Sequence, residues 1–279
     1  VFNPLQGSAK TGPCATQLDK NMKNRAYAAA ASIAVVFALA TIAAPARAEQ
    51  TEIALSAGVG YMSGAYGGTE DIEDLYVPVS ARIDTGRLTF QLVVPYLRVS
   101  EPVESGTNTE GGLGDILGSA TIYDVLANGR GTLALDVTGT VKLGTADETK
   151  GLGTGETDFT VYLDGYRFYD TVTLLASVGY RLRGEPSGQR IDDVFLGSVG
   201  TVFRLRTETR LGLIFDYRES ALPDADDIQE LTAFLSLGLN DNWNVELSAF
   251  TGFTDSSPDW GAGIGVTTNL RRLRVRDDR

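Results

Sequence analysis

The stretch TLALDVTGTVKLG, residues 132–144, decides how the chain is read. Leu133, Leu135, Val137, Val141 and Leu143 take every other position, with Gly139 completing their row, and Asp136, Thr138, Thr140 and Lys142 stand between them. Side chains of an extended strand point alternately to opposite faces, so this is a strand with one apolar and one polar face. Two environments suit it. In a soluble sandwich the apolar face is the protein core; in a membrane barrel it meets lipid and the polar face looks inward.

The alternation recurs throughout the chain after residue 50. Twelve strands are predicted, at 52–63, 73–84, 88–100, 113–126, 132–144, 158–168, 172–183, 192–203, 208–218, 228–239, 243–253 and 259–270. The apolar row reads Ile53, Leu55, Ala57, Val59, Tyr61 on the first of these and Val172, Leu174, Ala176, Val178, Tyr180, Leu182 on the seventh. The other row is small or charged, as in Ser80, Arg82, Asp84 or Arg210, Asp216, Arg218. Such a row cannot form the packed core of a sandwich without many paired charges, because buried charge is costly unless paired.

Three features favour the barrel. The predicted strands are long, whereas soluble strands usually run to about 5–6 residues and tilted membrane strands need about 9–11. Their connections alternate: TGR, ANGRG, YDT, RLRT and NDN are tight, while GAYGGTEDI, EPVESGTNTEGG, TADETKGLGTGE, GEPSGQRI, ESALPDADD and TDSSP are longer and mostly acidic. Outer-membrane barrels pair short periplasmic turns with long outer loops in this way. Aromatics fall at strand ends, with Phe168, Tyr169 and Trp243 on the turn side and Tyr61, Tyr217, Phe253 and Trp260 on the loop side, as expected of two interfacial belts. The expected fold is therefore all-β, an up-and-down, twelve-stranded antiparallel transmembrane β-barrel spanning residues 49–270.

The first residues read differently. MKNR at 22–25 is a basic start, AYAAAASIAVVFALATIAA is apolar, and Pro45 with Ala46 and Ala48 supplies a breaker and the small-x-small spacing of a cleavage site. Residues 22–48 are expected to be a secretory signal peptide, with 1–21 an upstream extension and 271–279 a basic C-terminal tail. A membrane anchor at 26–44 is the competing reading.

Composition removes several functions. The 279 residues include no histidine, which excludes every His-based nucleophile pair, general base and metal ligand. The one cysteine, Cys14, can form no internal disulfide. The formal net charge is −12, and loss of residues 1–48 would take it to −16, against the cationic surface that nucleic acid requires. GLGTG at 151–155 lacks the Lys-Ser/Thr of a phosphate-binding loop and reads as a flexible outer loop. The loop carboxylates Glu101, Glu104, Glu110, Asp147, Glu148, Glu156, Asp224, Asp226 and Asp227 could bridge to lipopolysaccharide through divalent cations or simply be solvated. No cofactor and no resident metal are expected.

Two stretches, EGGLGDILGSATIY (110–123) and VKLGTADETKGLGTGETDFTVYL (141–163), resemble signatures of the outer-membrane proteins named for the meta-pathway of phenol degradation. Gly112, Gly114 and Asp115 match the family's G-x-GD, and Leu152, Gly153, Thr154, Gly155 and Asp158 match its L-G-T-G-x-x-D. VVPYL at 93–97 fits its third strand. The chain departs from the pattern where Gly144 replaces a proline and where it runs past Leu270 into RRLRVRDDR instead of closing on an aromatic residue. The resemblance implies a channel, akin to long-chain fatty-acid transporters, for a small hydrophobic or aromatic solute.

The inward-facing candidates are Arg82, Asp84, Asp136, Lys142, Arg181, Arg183, Arg210, Asp216, Arg218 and Glu246. Mixed charges on a lumen wall can filter or orient a solute, or can pair into a lattice that plugs it. The sequence leaves pore and plug open, with loops 101–112 and 145–157 as candidate gates. The expected surroundings are outer-membrane lipid and lipopolysaccharide, with a small-molecule solute. A structural or adhesive barrel and a histidine-independent outer-membrane hydrolase are the alternatives.

Overall fold

The structure, a computed structural model, describes residues 51–273 except 104–105, 129–130, 187–190 and 224. The upstream stretch, the expected signal peptide, Cys14, Glu104, Asp224 and the end of the basic tail lie outside the described residues.

The chain forms one closed antiparallel sheet. Its strands are β1 (Thr51–Gly64), β2 (Ile72–Asp84), β3 (Leu88–Val103), β4 (Gly106–Leu113), β5 (Ile116–Ala127) and β6 (Leu133–Leu143). After a short 3-10 turn at Glu148–Lys150 come β7 (Asp158–Phe168), β8 (Val172–Leu182), β9 (Val194–Arg206) and β10 (Thr209–Arg218). β11 (Ile228–Gly238), β12 (Trp243–Gly252) and β13 (Trp260–Leu273) complete the wall. Most neighbours in sequence pair in space, and β1 pairs with both β2 and β13, which closes the sheet into a barrel. Lipid offers backbone groups no hydrogen-bond partner, and closure lets the wall strands pair with one another instead.

Thirteen segments make twelve barrel strands because β4 and β5 share one position. β3 pairs with β5 from Leu88 to Val93 and with β4 from Tyr96 to Val103. Proline explains the interruption, since it has no N–H to give a ladder. Pro95 lies at the gap and stands opposite Pro78. The β1–β2 pairing likewise runs to Ala57–Val79 and resumes at Gly60–Tyr76, omitting Pro78. Gly114 rejoins the wall by donating its N–H to the Pro95 carbonyl at 2.9 Å.

The expected loop 101–112 is therefore corrected: β3 and β4 carry the ladder into a hairpin beyond the break. Thr107, Asn108 and Thr109 are exposed, so no apolar row marked the strand in the sequence. The last strand reaches Leu273 instead of ending at 270.

The apolar row faces outward. Val79, Leu113, Val161, Val178, Phe195 and Val199 are each more than half exposed, whereas the alternate residues Ala54, Asp74, Asp136, Ile214 and Glu230 are buried. An exposed apolar band of this extent suits lipid, not water. Trp260 packs on Tyr61 with ring centroids 5.5 Å apart at the loop end, where Phe253 meets Phe215 at 6.3 Å. At the turn end Trp243 and Tyr169 are exposed, and Arg167 lies over the Tyr169 ring. Phe168 leaves the expected belt: it shares the inward row of β7 and stacks on Tyr166, with an interplanar angle of 14°.

Candidate functional site

At the loop end the lumen is filled by side chains from wall and loops together. Met62, Tyr76, Leu97, Val99 and Phe250 point inward from β1, β2, β3 and β12. Tyr66, Ala146 and Leu152 come down from the loops to pack with them. Ser257 and Pro258, from the β12–β13 loop, are also fully buried. Loop 145–157, one of the two candidate gates, thus folds inward.

One lysine holds that loop. Lys142, at the loop end of β6, donates from Nζ to Thr154 Oγ1 at 2.8 Å, to the Glu156 carbonyl at 3.0 Å and to Asp115 Oδ2 at 3.0 Å. Asp158 Oδ2 lies 3.4 Å away. The two carboxylates also bind backbone: Asp115 Oδ1 accepts from Ala146 N–H at 3.0 Å and Asp158 Oδ1 from Gly184 N–H at 3.1 Å. Asp115, Thr154 and Asp158 are the polar members of the two sequence motifs, and Lys142 is where they meet. At the exposed crest the Thr149 hydroxyl, donating at 2.6 Å, holds the Asp147 carboxyl below its ordinary range.

The glycines let the loop lie down. A Cβ on Gly153 would come within 2.6 Å of Ala146 Cβ and 2.8 Å of Asp115 Oδ2. Gly144, where the family pattern has proline, lies directly against the Gly155 carbonyl, so any Cβ there would collide with it. Gly112 takes the tip of Leu152, Gly114 packs on Leu97, and Gly155 turns with φ +71°. Gly153→Ala is expected to cost about 1–3 kcal/mol by overpacking. Urea unfolding of the membrane-inserted barrel and proteolysis within 145–157 check it; the loop should become cleavable before the barrel melts.

Beneath the loop lies a cavity of about 130 Å³. Arg181, Arg183 and Arg218 line it with Lys142, and Leu117, Leu152, Ile191, Leu222 and Ile228 form its apolar part. Arg181 donates from Nε to Thr160 Oγ1 at 3.1 Å. Arg218 is buried and interacts electrostatically with Glu230 and with both other arginines. Glu219, on the rim, accepts the Phe195 N–H at 3.0 Å.

The remaining inward candidates are not gathered here. Arg82 and Arg210 stand on the inward row nearer the turn end, on β2 and β10. Asp84 serves its own turn by accepting from Gly86 N–H at 2.8 Å. Asp136 accepts from Asp124 N–H at 2.8 Å, where Asp124 (φ 52°) kinks β5. Glu246 is buried on β12, and neither of its carboxyl oxygens has a hydrogen-bond partner among the described residues.

Two features of the lumen escaped the sequence. One is a polar row crossing the wall in register: Asp136 faces Asp164, which faces Ser177, then Ser198, Asp216 and Glu230. Ser177 donates to Asp164 and Ser198 to Asp216, both at 2.6 Å, so two of its carboxylates are held by neighbouring hydroxyls. The other is a second inward apolar cluster of Leu175, Val202, Ile214 and Phe234 with Tyr166, toward the turn end of β7 to β11. Among the described residues, no three carboxylates are placed to hold a metal ion.

No family profile matches the chain, and no curated protein is similar to it in sequence. Solved structures do resemble it. An outer-membrane channel from Pseudomonas putida F1 superposes with a TM-score of 0.64 at 14% identity, covering 82% of this chain and 97% of that one. The NanC porin gives 0.56 at 10% identity, covering 77% and 100%, and the KdgM porin 0.53 at 10%, covering 78% and 99%. At these identities the likeness is one of fold: the chain has the barrel fold of bacterial outer-membrane channels and porins.

Proposed function

We propose that the protein is a passive, non-enzymatic channel of the bacterial outer membrane, exported by the signal peptide at 22–48, that passes a small amphipathic or aromatic solute. The carrying observation is the make-up of the inward face. A barrel of twelve strands lies between eight-stranded barrels filled by side chains and sixteen-stranded aqueous porins. Its lumen here presents one apolar cluster at the loop end and a second toward the turn end, with charged groups interspersed among them, surfaces that suit a solute with an apolar body. Convergence of Asp115, Thr154 and Asp158 on Lys142 supports kinship with the meta-pathway barrel family, because those motif positions then serve one purpose. Diffusion needs no energy coupling, and the lumen charges orient the solute.

A plugged, structural barrel is favoured by one observation, the full burial of Tyr66, Leu152, Ser257 and Pro258 in the loop-end half. Planar bilayers separate the two. Wild type is expected to give small discrete steps, and Leu152→Gly with Tyr66→Gly to enlarge them about twofold or more by removing the filling side chains. Bilayers that stay silent with both wild type and the double variant, from preparations that insert, would establish the plug.

A further inference from the structure

We infer that the loop-end cavity binds an organic monocarboxylate with an apolar body. This deepens the channel reading and rests on it for the passage of that solute, although the binding itself does not require passage.

The charge pattern carries the inference. Arg181, on the inward row of β8, and Arg183, just past the end of that strand, both line the cavity, and Arg218 reaches it from β10. Like charges gathered on one cavity repel one another. The nearby carboxylates are largely committed. Asp115 and Asp158 share Lys142 and each takes a backbone N–H, Glu219 takes the Phe195 N–H, Glu230 attracts Arg218, and Asp226 is exposed. Asp158 and Arg183 also attract each other. Donor capacity nevertheless remains. A guanidinium has five N–H groups; among the described residues Arg181 hydrogen-bonds through Nε alone, and Arg183 Nε is buried with no acceptor. The planar guanidinium fork matches a carboxylate in two parallel hydrogen bonds, a geometry an ammonium lacks.

The walls define the rest of the ligand. Leu117, Leu152, Ile191, Leu222 and Ile228 leave most of the cavity surface without polar partners. A sugar acid would strand its hydroxyls against them, at the cost of unpaired polar groups. A volume of about 130 Å³ admits a single ring or a short chain, well below the roughly 300–1,000 Å³ of pockets for drug-sized ligands.

The test is titration calorimetry on the folded, detergent-solubilised full chain with benzoate, benzyl alcohol and acetate. Benzoate is expected to bind at least tenfold more tightly than benzyl alcohol, which lacks the charge, and than acetate, which lacks the ring. Arg181→Gln and Arg183→Gln should each lower benzoate affinity about tenfold and leave that of benzyl alcohol unchanged. Arg181→Lys, which keeps the charge without the fork, should lie between, and heat-modifiable gel migration confirms that each variant is folded. Equal affinity for benzoate and benzyl alcohol, or no benzoate binding by protein that conducts in bilayers, overturns the carboxylate site and leaves the channel standing. Benzoate binding by protein that is silent in bilayers overturns the channel and leaves the site.

Discussion

Arginine at Val178 or Leu213 is expected to hinder insertion and destabilise the barrel by about 2–4 kcal/mol, the range for a cation on the lipid face near the bilayer midplane. Both residues lie on the outward row near the middle of their strands, β8 and β10, and Val178 is 61% exposed. Leu135 and Leu235 share that row but stand closer to the turn end of β6 and β11, where an arginine can snorkel to the interface at smaller cost. The inward control is Ser248→Arg. Ser248 is half-buried at mid-height on β12, facing Gly263, and its substitution should cost under about 1 kcal/mol because the cation stays in the lumen. Ser236 is a poor control, being fully buried with its hydroxyl donated to Asn244 at 3.1 Å. Urea unfolding in liposomes, with insertion yield, measures all three variants. Equal damage on both faces would contradict the outward orientation.

The wall was legible because lipid demands an apolar residue at every second position, and that demand is written locally. β6, β7, β8, β10 and β12 fall within a residue or two of their predicted bounds. β4 was missed because residues 106–112 carry no apolar row; its signal is backbone pairing, which any polar residue can provide. Phe168 was assigned to the belt from its place at a strand end, yet its parity puts it on the inward row with Tyr166. Parity decided correctly where strand-end position did not.

The lumen was less legible because it depends on register and closure. Alternation named Lys142, Arg181, Arg183 and Arg218 as inward, but their meeting at one end needs the pairing of Lys142 with Asp158 and the seating of loop 145–157. The polar row from Asp136 to Glu230 joins residues almost a hundred positions apart and has no local trace. The inward apolar residues did leave one. In LYVPV, residues 75–79, both rows are apolar, and AFL at 233–235 repeats this, so Tyr76 and Phe234 had to face inward between outward neighbours. Those runs mark where the lumen is packed.

Lys142→Met should release loop 145–157 while leaving the wall intact. The lysine is the shared counter-charge of Asp115 and Asp158, whose side chains are only 11% and 4% exposed. Removing one partner of a buried ion pair costs about 3–5 kcal/mol, because the other partner is left charged and desolvated. Lys142 itself is 19% exposed, so water can reach the site and the lower figure, about 3 kcal/mol, is expected. Most of that loss can be relieved locally if the loop lifts and lets water solvate the two carboxylates. The strands have no such route, since the wall pairings do not involve the lysine side chain. Proteolysis at 145–157 should therefore speed up roughly a hundredfold, the factor about 3 kcal/mol allows when cleavage follows the open population, with the urea midpoint of the barrel little changed. Channel steps should enlarge as Leu152 leaves the lumen. Thr154→Val removes one hydrogen bond from the same lysine and should give a milder version, about 1 kcal/mol. Barrel melting that falls in step with loop cleavage would mean that Lys142 supports the wall and does not latch the loop.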